Sequence, residues 1–215
     1  MTKPLTIDFI SDVVCPWCVI GLRELETALE RLKDEAEPVF RFQPFELNPT
    51  MPPEGQNIGE HIQQKYGSSP EQAAAGRSMI RDRAAHVGFA MNVSGDSRIY
   101  NTFDAHRLLH WAGLEGRQIE LKRALFDAYF TDQSNVSDPE VLVAKAESVG
   151  LDGATAREIL ESGRYAEHVR AAEQAWYQSG IASVPSIVIN ERYMITGGQP
   201  ADVFEKALRR IMAEA

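Results

Sequence analysis

Residues 5–32 hold the pattern that most restricts what this chain can fold into: a strand-like run, a Cys-Pro-Trp-Cys sequence and a helix-like stripe in direct succession. In LTIDFIS, at 5–11, apolar side chains alternate as on a strand that packs mainly by one face. Leucines then recur at three- and four-residue spacing, which predicts a helix that ends before Pro38. VFRFQPFEL, at 39–47, predicts a second strand. The segment is therefore typical of a βαβ unit with both cysteines at the start of its helix.

The middle of the chain, residues 51–163, has a helical pattern with capping signals and no strand pattern. Gly67 closes one short apolar stripe, and Ser69 with Pro70 opens the next helix as N-cap and first helical residue. We therefore expect this stretch to be entirely helical.

The end of the chain returns to a mixed pattern. A helix is predicted over 164–179, followed by two short strands, SIVIN at 186–190 and YMIT at 193–196, joined at Glu191-Arg192. The apolar stripe of a closing helix consists of Val203, Ala207, Leu208 and Ile211. The element order is thus β-α-β, a helical block, and α-β-β-α, which predicts an α/β fold.

Composition excludes two classes of partner. The net charge of −9 over 215 residues argues against a nucleic-acid surface, because phosphate binding requires a cationic face. No apolar stretch approaches the ~18 residues that a membrane-spanning helix needs, so we expect no membrane partner. The N-terminal Met-Thr-Lys-Pro leads directly into 5–11, too short an apolar run for a signal peptide, and we therefore expect a cytoplasmic protein.

Cys15 and Cys18 allow three interpretations. A structural disulfide between them would close a tiny loop and would remove little entropy from the unfolded chain. A structural zinc site needs four ligands, and His106 with His110, four residues apart on one predicted helix, leaves a Cys2His2 site open, although we predict no metal. The third interpretation is redox chemistry.

The position of the cysteines favours redox chemistry. Free amide groups and the positive end of the helix dipole stabilise an anion, so Cys15 is expected to form a thiolate more easily than a free cysteine. Pro16 suits the first helical turn, where its missing N–H costs nothing. Cys18, one turn later, can attack a mixed disulfide made by Cys15 and release the product.

Two further positions are candidates for substrate binding. Trp17 is expected to lie exposed beside the thiols, where its ring can contact an incoming peptide. Val184-Pro185 precedes a late strand and is either an ordinary trans bond, as most X-Pro bonds are, or a cis bond beside the dithiol. In the second case the Val184 backbone offers a short edge to which an extended substrate can add.

Three segments carry a resemblance to a known family: FISDVVCPWCVIG at 9–21, YNTFDAHRLLHWA at 100–112 and GIASVPSIVINERYMITGGQP at 180–200. They resemble the DsbA-like branch of the thioredoxin superfamily, most closely its FrnE-like members.

The resemblance implies a thioredoxin-like fold with a large all-helical insertion domain. The thioredoxin-like domain would be discontinuous, formed by residues 1–50 and 164–215, with 51–163 as the inserted helical domain. The resemblance also implies Cys15 as attacking thiol, Cys18 as buried resolving thiol and Pro185 as cis-proline.

The segment at 100–112 would, by the same resemblance, lie over the dithiol and line its cleft with His106. The alternative is that His106 is a packing residue of its helix.

The predicted function is a thiol-disulfide oxidoreductase that acts on protein thiols and disulfides, as oxidase, reductase or isomerase. It would need no cofactor, although glutathione is a possible redox partner. The alternative is a glutathione-dependent isomerase or transferase of an aromatic small molecule. Similar isomerases and transferases, of the 2-hydroxychromene-2-carboxylate and kappa types, carry serine in place of Cys15, and Gln199-Pro200 departs from their glutathione-binding pattern.

Overall fold

A four-stranded sheet carries the cysteine segment in a computed structural model, which describes residues 2–214. Its strands are β1 (Lys3–Ser11), β2 (Ala36–Pro44), β5 (Ser186–Ile189) and β6 (Tyr193–Thr196). The spatial order is β2-β1-β5-β6, with β1 parallel to β2 and antiparallel to β5, and β5 antiparallel to β6. The crossover between the parallel strands β1 and β2 contains helix α1 (Pro16–Arg31), which directly follows Cys15.

Strand β1 is buried on both faces, whereas the sequence predicted burial mainly on one. Phe9 belongs to the main core, while Ile10 on the opposite face packs in a second cluster with Phe45 and Ile181. Asp8 is buried as well, and its carboxylate accepts hydrogen bonds from Arg41 at 2.6 and 2.9 Å. A central strand of this kind has no solvent face, which explains why its alternation is incomplete.

The predicted second strand begins three residues earlier than expected and contains Pro38. Strand β2 lies at the edge of the sheet, where a proline can be accommodated without breaking a ladder.

Six helices lie between β2 and residue 164. They are α2 (Ile58–Tyr66), α3 (Pro70–His86), α4 (Phe103–Leu114), α5 (Gln118–Phe126), α6 (Pro139–Ser148) and α7 (Gly153–Ser162). A π-helical turn, Asp127–Thr131, extends α5. The expectation that this stretch contains no strand is wrong: β3 (Gln56–Asn57) pairs antiparallel with β4 (Arg98–Ile99). These strands are two residues long, too short for a period of two to show in the sequence.

The helices of this stretch share one core with the sheet. The main cluster of buried side chains joins Phe9 and Leu22 to Leu108 and Phe126. No helix among residues 2–214 is long and apolar enough to cross a membrane.

The last part of the chain contains α8 (Ala166–Gln178), the hairpin of β5 and β6, and α9 (Ala201–Glu214). The hairpin turn lies one residue earlier than predicted, at Asn190 and Glu191, which have φ of 52° and 56° as a type I′ turn requires. In α9 the predicted Val203 is 46% exposed, and Phe204 takes its place in the core. The Glu24 carboxylate of α1 accepts a hydrogen bond from the Ala201 amide at 2.8 Å and so holds the start of α9.

Helix α1 approaches the loop after β6 at two glycines. A Cβ on Gly21 would lie 3.0 Å from the Gly198 Cα and 3.2 Å from the Pro185 Cγ. The backbone of the cysteine helix therefore packs directly against the loop that follows the sheet, and this contact sets the position of Cys18 relative to Pro185.

We predict that Gly21→Ala lowers the free energy of unfolding by about 1–3 kcal/mol, because backbone atoms must move to admit the methyl group. Urea denaturation followed by circular dichroism measures the change. Gly76→Ala on α3 is the matched control, since nothing lies within 4 Å of its added Cβ. We expect this control to gain up to about 1 kcal/mol from helix propensity. Equal stability of the two variants would contradict the close approach.

Candidate active site

The two thiols sit at the first turn of α1. Cys15 is the N-cap residue, in an extended conformation, and Pro16 occupies the first helical position. The Cys18 amide donates a hydrogen bond to the Cys15 carbonyl at 3.0 Å, which closes the turn between them. Both cysteines are free thiols, and Cys15 keeps 3% of its surface exposed whereas Cys18 keeps none. The segment thus presents one thiol at a cavity and places the other beneath it.

Cys15 lies beside the loop that precedes β5. Its Sγ is 3.8 Å from the Val184 carbonyl oxygen, and the Val184–Pro185 peptide bond is cis. Pro185 is buried behind Val184, against Gly21. The structure therefore brings Cys15 together with Val184 and Pro185, which lie 169 or more residues after it in the sequence.

Burial raises the pKa of the Cys18 thiol well above its usual range, and the hydrogen bond and charge of Cys15 raise it further. The positive charge of Lys122 acts in the opposite direction. Cys18 is consequently a thiol at neutral pH and needs a proton acceptor before it can attack.

Lys122, from α5, is the buried cation of this region. Its side chain has no exposed surface and its Nζ has no hydrogen-bond partner among residues 2–214. The Nζ lies 5.0 Å from the centroid of the Phe126 ring. Burial lowers the pKa of Lys122 from 10.5 to about 8. The charges of Cys18 and Asp12 raise this pKa, but they do not outweigh burial.

Asp12 is fully buried just before the cysteines. Burial alone would raise its pKa, but the nearby His106 and the hydrogen bond from the Leu47 amide outweigh burial and leave the pKa below its usual range. Asp12 Oδ2 accepts the Leu47 amide at 2.7 Å, and Oδ1 lies 3.4 Å from His106 Nε2. Asp12 is therefore a carboxylate, and an anion of such low basicity is a poor acceptor for the Cys18 proton.

A cavity of about 670 Å³ opens beside Cys15. Pro16, Trp17 and Val184, predicted as substrate-binding residues, line it. The π-helical turn after α5 adds Tyr129 and Phe130 to its wall.

Of the two interpretations of His106, the structure agrees with a packing residue of its helix and not with a residue that lines the Cys15 cavity. His106 is 2% exposed and borders a second cavity of about 410 Å³, behind β2, together with Lys122. In this structure His106 therefore contacts Asp12 rather than the contents of the Cys15 cavity, because α4 packs its polar side chains inward at this point.

His110, the second histidine of the zinc alternative, packs against Tyr165 and His168 with ring centroids 4.9 and 5.4 Å away. Across residues 2–214 no group of three or more His, Cys, Asp or Glu side chains could hold a metal ion.

Lys122 was not identified from the sequence. It lies in QIELKRALF, next to two leucines of an amphipathic stripe, and a lysine in such a pattern is normally on the solvated face. Only the fold turns this position toward the dithiol.

The sequence matches one family over nearly its whole length. The model of the family described as "DSBA-like thioredoxin domain" matches residues 6–209. The uncharacterized protein YwbO of Bacillus subtilis is 30% identical over 203 residues, which are 94% of this chain and 94% of YwbO.

Solved structures show the same fold. The "probable DsbA oxidoreductase SCO1869" from Streptomyces coelicolor is 36% identical, with a TM-score of 0.93 over 98% of this chain and 91% of that one. The cytosolic disulfide reductase DsbM from Pseudomonas aeruginosa, solved with GSH, has a TM-score of 0.65 and covers 97% of this chain and 99% of its own, but its 15% identity shows the fold alone. The thioredoxin-like fold predicted from the sequence is confirmed.

We predict that Lys122→Met stabilises the reduced protein by about 2–3 kcal/mol at pH 7. The charged lysine loses its hydration when the chain folds, and this unfavourable free energy is absent from the variant. The pKa of Lys122 is lowered on folding, so the wild type regains stability as pH rises from about 8 to 10.5. The advantage of the variant should therefore shrink across that interval.

Urea denaturation at pH 7 and pH 10 measures this difference. Lys206→Met, at an exposed position of α9, is the control and should change stability by less than about 0.5 kcal/mol. A variant less stable than wild type at pH 7, or an advantage constant with pH, would refute the uncompensated burial of Lys122.

Proposed function

Because this chain belongs to the family of DsbA-like thioredoxin domains, we propose that it is a thiol-disulfide oxidoreductase with Cys15 as attacking thiol and Cys18 as resolving thiol. The observation that carries the proposal is the unequal burial of the pair. The Cys15 side chain faces a cavity, whereas the Cys18 side chain, one turn later, is surrounded by protein. Protein thiols and disulfides are the substrate class that the family implies.

In the reducing direction the Cys15 thiolate attacks one sulfur of a substrate disulfide. A Cys15–substrate disulfide forms, and the first substrate thiolate leaves. The Cys18 thiolate then attacks the Cys15 sulfur, which closes the Cys15–Cys18 disulfide and releases the second substrate thiolate. The substrate gains two electrons, and the dithiol loses two electrons and two protons. The oxidising direction is the reverse.

Lys122 supports the second step. Its amine, with a pKa of about 8, remains mostly charged at neutral pH, and its charge lowers the pKa of Cys18. The ammonium would therefore stabilise the Cys18 thiolate that attacks the mixed disulfide. His106 has a positioning role in this proposal, since it holds the Asp12 carboxylate beneath the pair.

The Val184 carbonyl and the Trp17 ring are proposed to contact the substrate. Val184 is the residue before the cis-proline, and its backbone offers an edge beside the Cys15 sulfur. Both residues line the cavity into which Cys15 opens.

The direction of the reaction depends on the compartment. In a cytoplasm, as the sequence predicts, the dithiol is the resting form, and the protein works as a reductase or isomerase. Glutathione would then return the disulfide form to the dithiol; DsbM, a cytosolic reductase of the same fold, was solved with it.

We predict that Cys18→Ser stops turnover of a protein disulfide such as insulin and leaves a mixed disulfide on Cys15, because nothing resolves the first adduct. Mass spectrometry of the variant after non-reducing isolation detects the adduct. Cys15→Ser is the control and should neither turn over nor form an adduct. If Cys18→Ser kept wild-type turnover, the alternative of a glutathione-dependent isomerase or transferase would replace this proposal.

We also predict that Lys122→Met slows the second step by about tenfold at pH 7, because the variant loses the charge that lowers the pKa of the Cys18 thiol and so holds less thiolate. The first step should be unchanged. Single-turnover stopped flow with a chromogenic disulfide separates the two steps as the release of the first and the second thiolate. The pH dependence separates this role from a packing effect: the wild-type and variant rates should converge as pH rises and hydroxide removes the proton.

A further inference from the structure

The wall of the Cys15 cavity opposite the dithiol is built from helices that bury little of themselves. Helix α2 has no buried residue, and α3 buries only Ala73 and Ala84. Ile58 and Ile62 of α2 and Ile80 of α3 line the cavity, and Ile58 and Ile80 are only partly buried against the main core. An amphipathic helix is normally stabilised by covering its apolar stripe, so an occupant of the cavity would complete the packing of this wall.

The same wall is positively charged in a protein whose net charge is −9. Arg77 and Arg81 of α3 and Lys65 of α2 line the cavity. Lys65 donates only to neutral oxygens, the Leu47 carbonyl and the Asn48 side chain, at 3.0 and 2.8 Å.

The two arginines have no acidic partner within ion-pair distance among residues 2–214, and Arg77 Nη1 is buried without a hydrogen bond. An unpaired buried guanidinium nitrogen is costly, and it marks a place where an anion would be bound. Glu46, the acid on the cavity wall, is already held by Arg170.

Access to Cys15 favours a small occupant. With 3% of its surface exposed, Cys15 is reached through this cavity, whose 670 Å³ lies within the range for small-molecule sites. A molecule that fills it meets an aromatic and aliphatic interior, a thiol at one side and cations on α2 and α3.

We propose that the cavity binds low-molecular-weight disulfides that combine an apolar body with a carboxylate, as a further substrate class of the oxidoreductase. The carboxylate lies on Arg77 and Arg81, the apolar body lies against the isoleucines of α2 and α3, and a sulfur faces Cys15. The proposal rests on the proposed function. The reduced enzyme and one such disulfide give the Cys15–Cys18 disulfide and two small thiols, with two electrons transferred to the substrate.

Two aryl disulfides that differ in charge test the proposal. Reduced protein is mixed with excess 5,5′-dithiobis(2-nitrobenzoate), which carries two carboxylates, or with 4,4′-dithiodipyridine, which is neutral. Release of the aryl thiol is followed by absorbance, and each rate constant is divided by that of free glutathione to remove intrinsic reactivity. We expect Arg77→Gln/Arg81→Gln to lower the rate with the dianion by about tenfold and to leave the rate with the neutral disulfide unchanged.

Three controls sharpen the test. Arg83→Gln removes the same charge from the same helix at a position that does not line the cavity, and it should change neither rate. Arg77→Lys/Arg81→Lys keeps the charge and should restore most of the rate with the dianion. An unchanged rate with the neutral disulfide also shows that the double variant is folded.

The proposal is overturned if the double variant and Arg83→Gln slow the reaction of the dianion equally. The overall positive charge of α3, rather than binding of the carboxylate in the cavity, would then explain the rate. It is also overturned if the double variant slows both disulfides equally or neither. If wild-type protein reacted with neither disulfide faster than glutathione does, the proposed function itself would fail.

A second measurement does not depend on redox activity. 1-Naphthoate, an apolar carboxylate without sulfur, should slow the alkylation of Cys15 by neutral iodoacetamide in the Cys18→Ser variant. 1-Naphthalenemethanol, its neutral counterpart, should protect less. Protection by naphthoate that is lost on Arg77→Gln/Arg81→Gln supports the site even if disulfide exchange is absent, and equal protection by both compounds argues against the carboxylate specificity.

Discussion

Exclusion of water from the base of the dithiol governs the chemistry of the molecule. Cys18, Asp12 and Lys122 have almost no contact with solvent, so their protonation states depend on one another rather than on bulk water. Burial raises the pKa of Cys18, so this thiol keeps its proton. Burial lowers the pKa of Lys122, so its ammonium group loses a proton more readily than usual. The charge of Lys122 and the hydrogen bond of the Asp12 backbone are the influences that lower the pKa of Cys18 against this burial.

The helices inserted after β2 are part of this arrangement. Helix α5 supplies Lys122, and the π-helical turn that extends it supplies Tyr129 and Phe130 to the cavity. π-Helical turns are frequent at functional sites. The sheet positions the thiols, while the inserted helices determine both the electrostatics beneath Cys18 and the shape of the space above Cys15.

The sequence was informative where a pattern is local. The βαβ unit, the position of CPWC at a helix start and the late Val-Pro were all recognised, because strand period, helical stripe and proline are properties of neighbouring residues. The roles of Lys122 and Arg77 were not predicted. Each depends on which way a helix face is turned in the fold, and neither the stripe of α5 nor the weakly patterned α3 carries that information. The sequence left the role of His106 open for the same reason, since its helix is buried on nearly all sides.

The sparse packing of α2 has a dynamic consequence. With no fully buried side chain, this helix is held by its Asn57 and Gly67 caps, by partial packing of Ile58 on the core and by the hydrogen bonds of Lys65. Its amide protons should exchange with deuterated solvent through local opening, whereas those of the central strand β1 require unfolding of the whole domain. Local opening of this helix can therefore occur while the sheet that positions Cys15 stays intact.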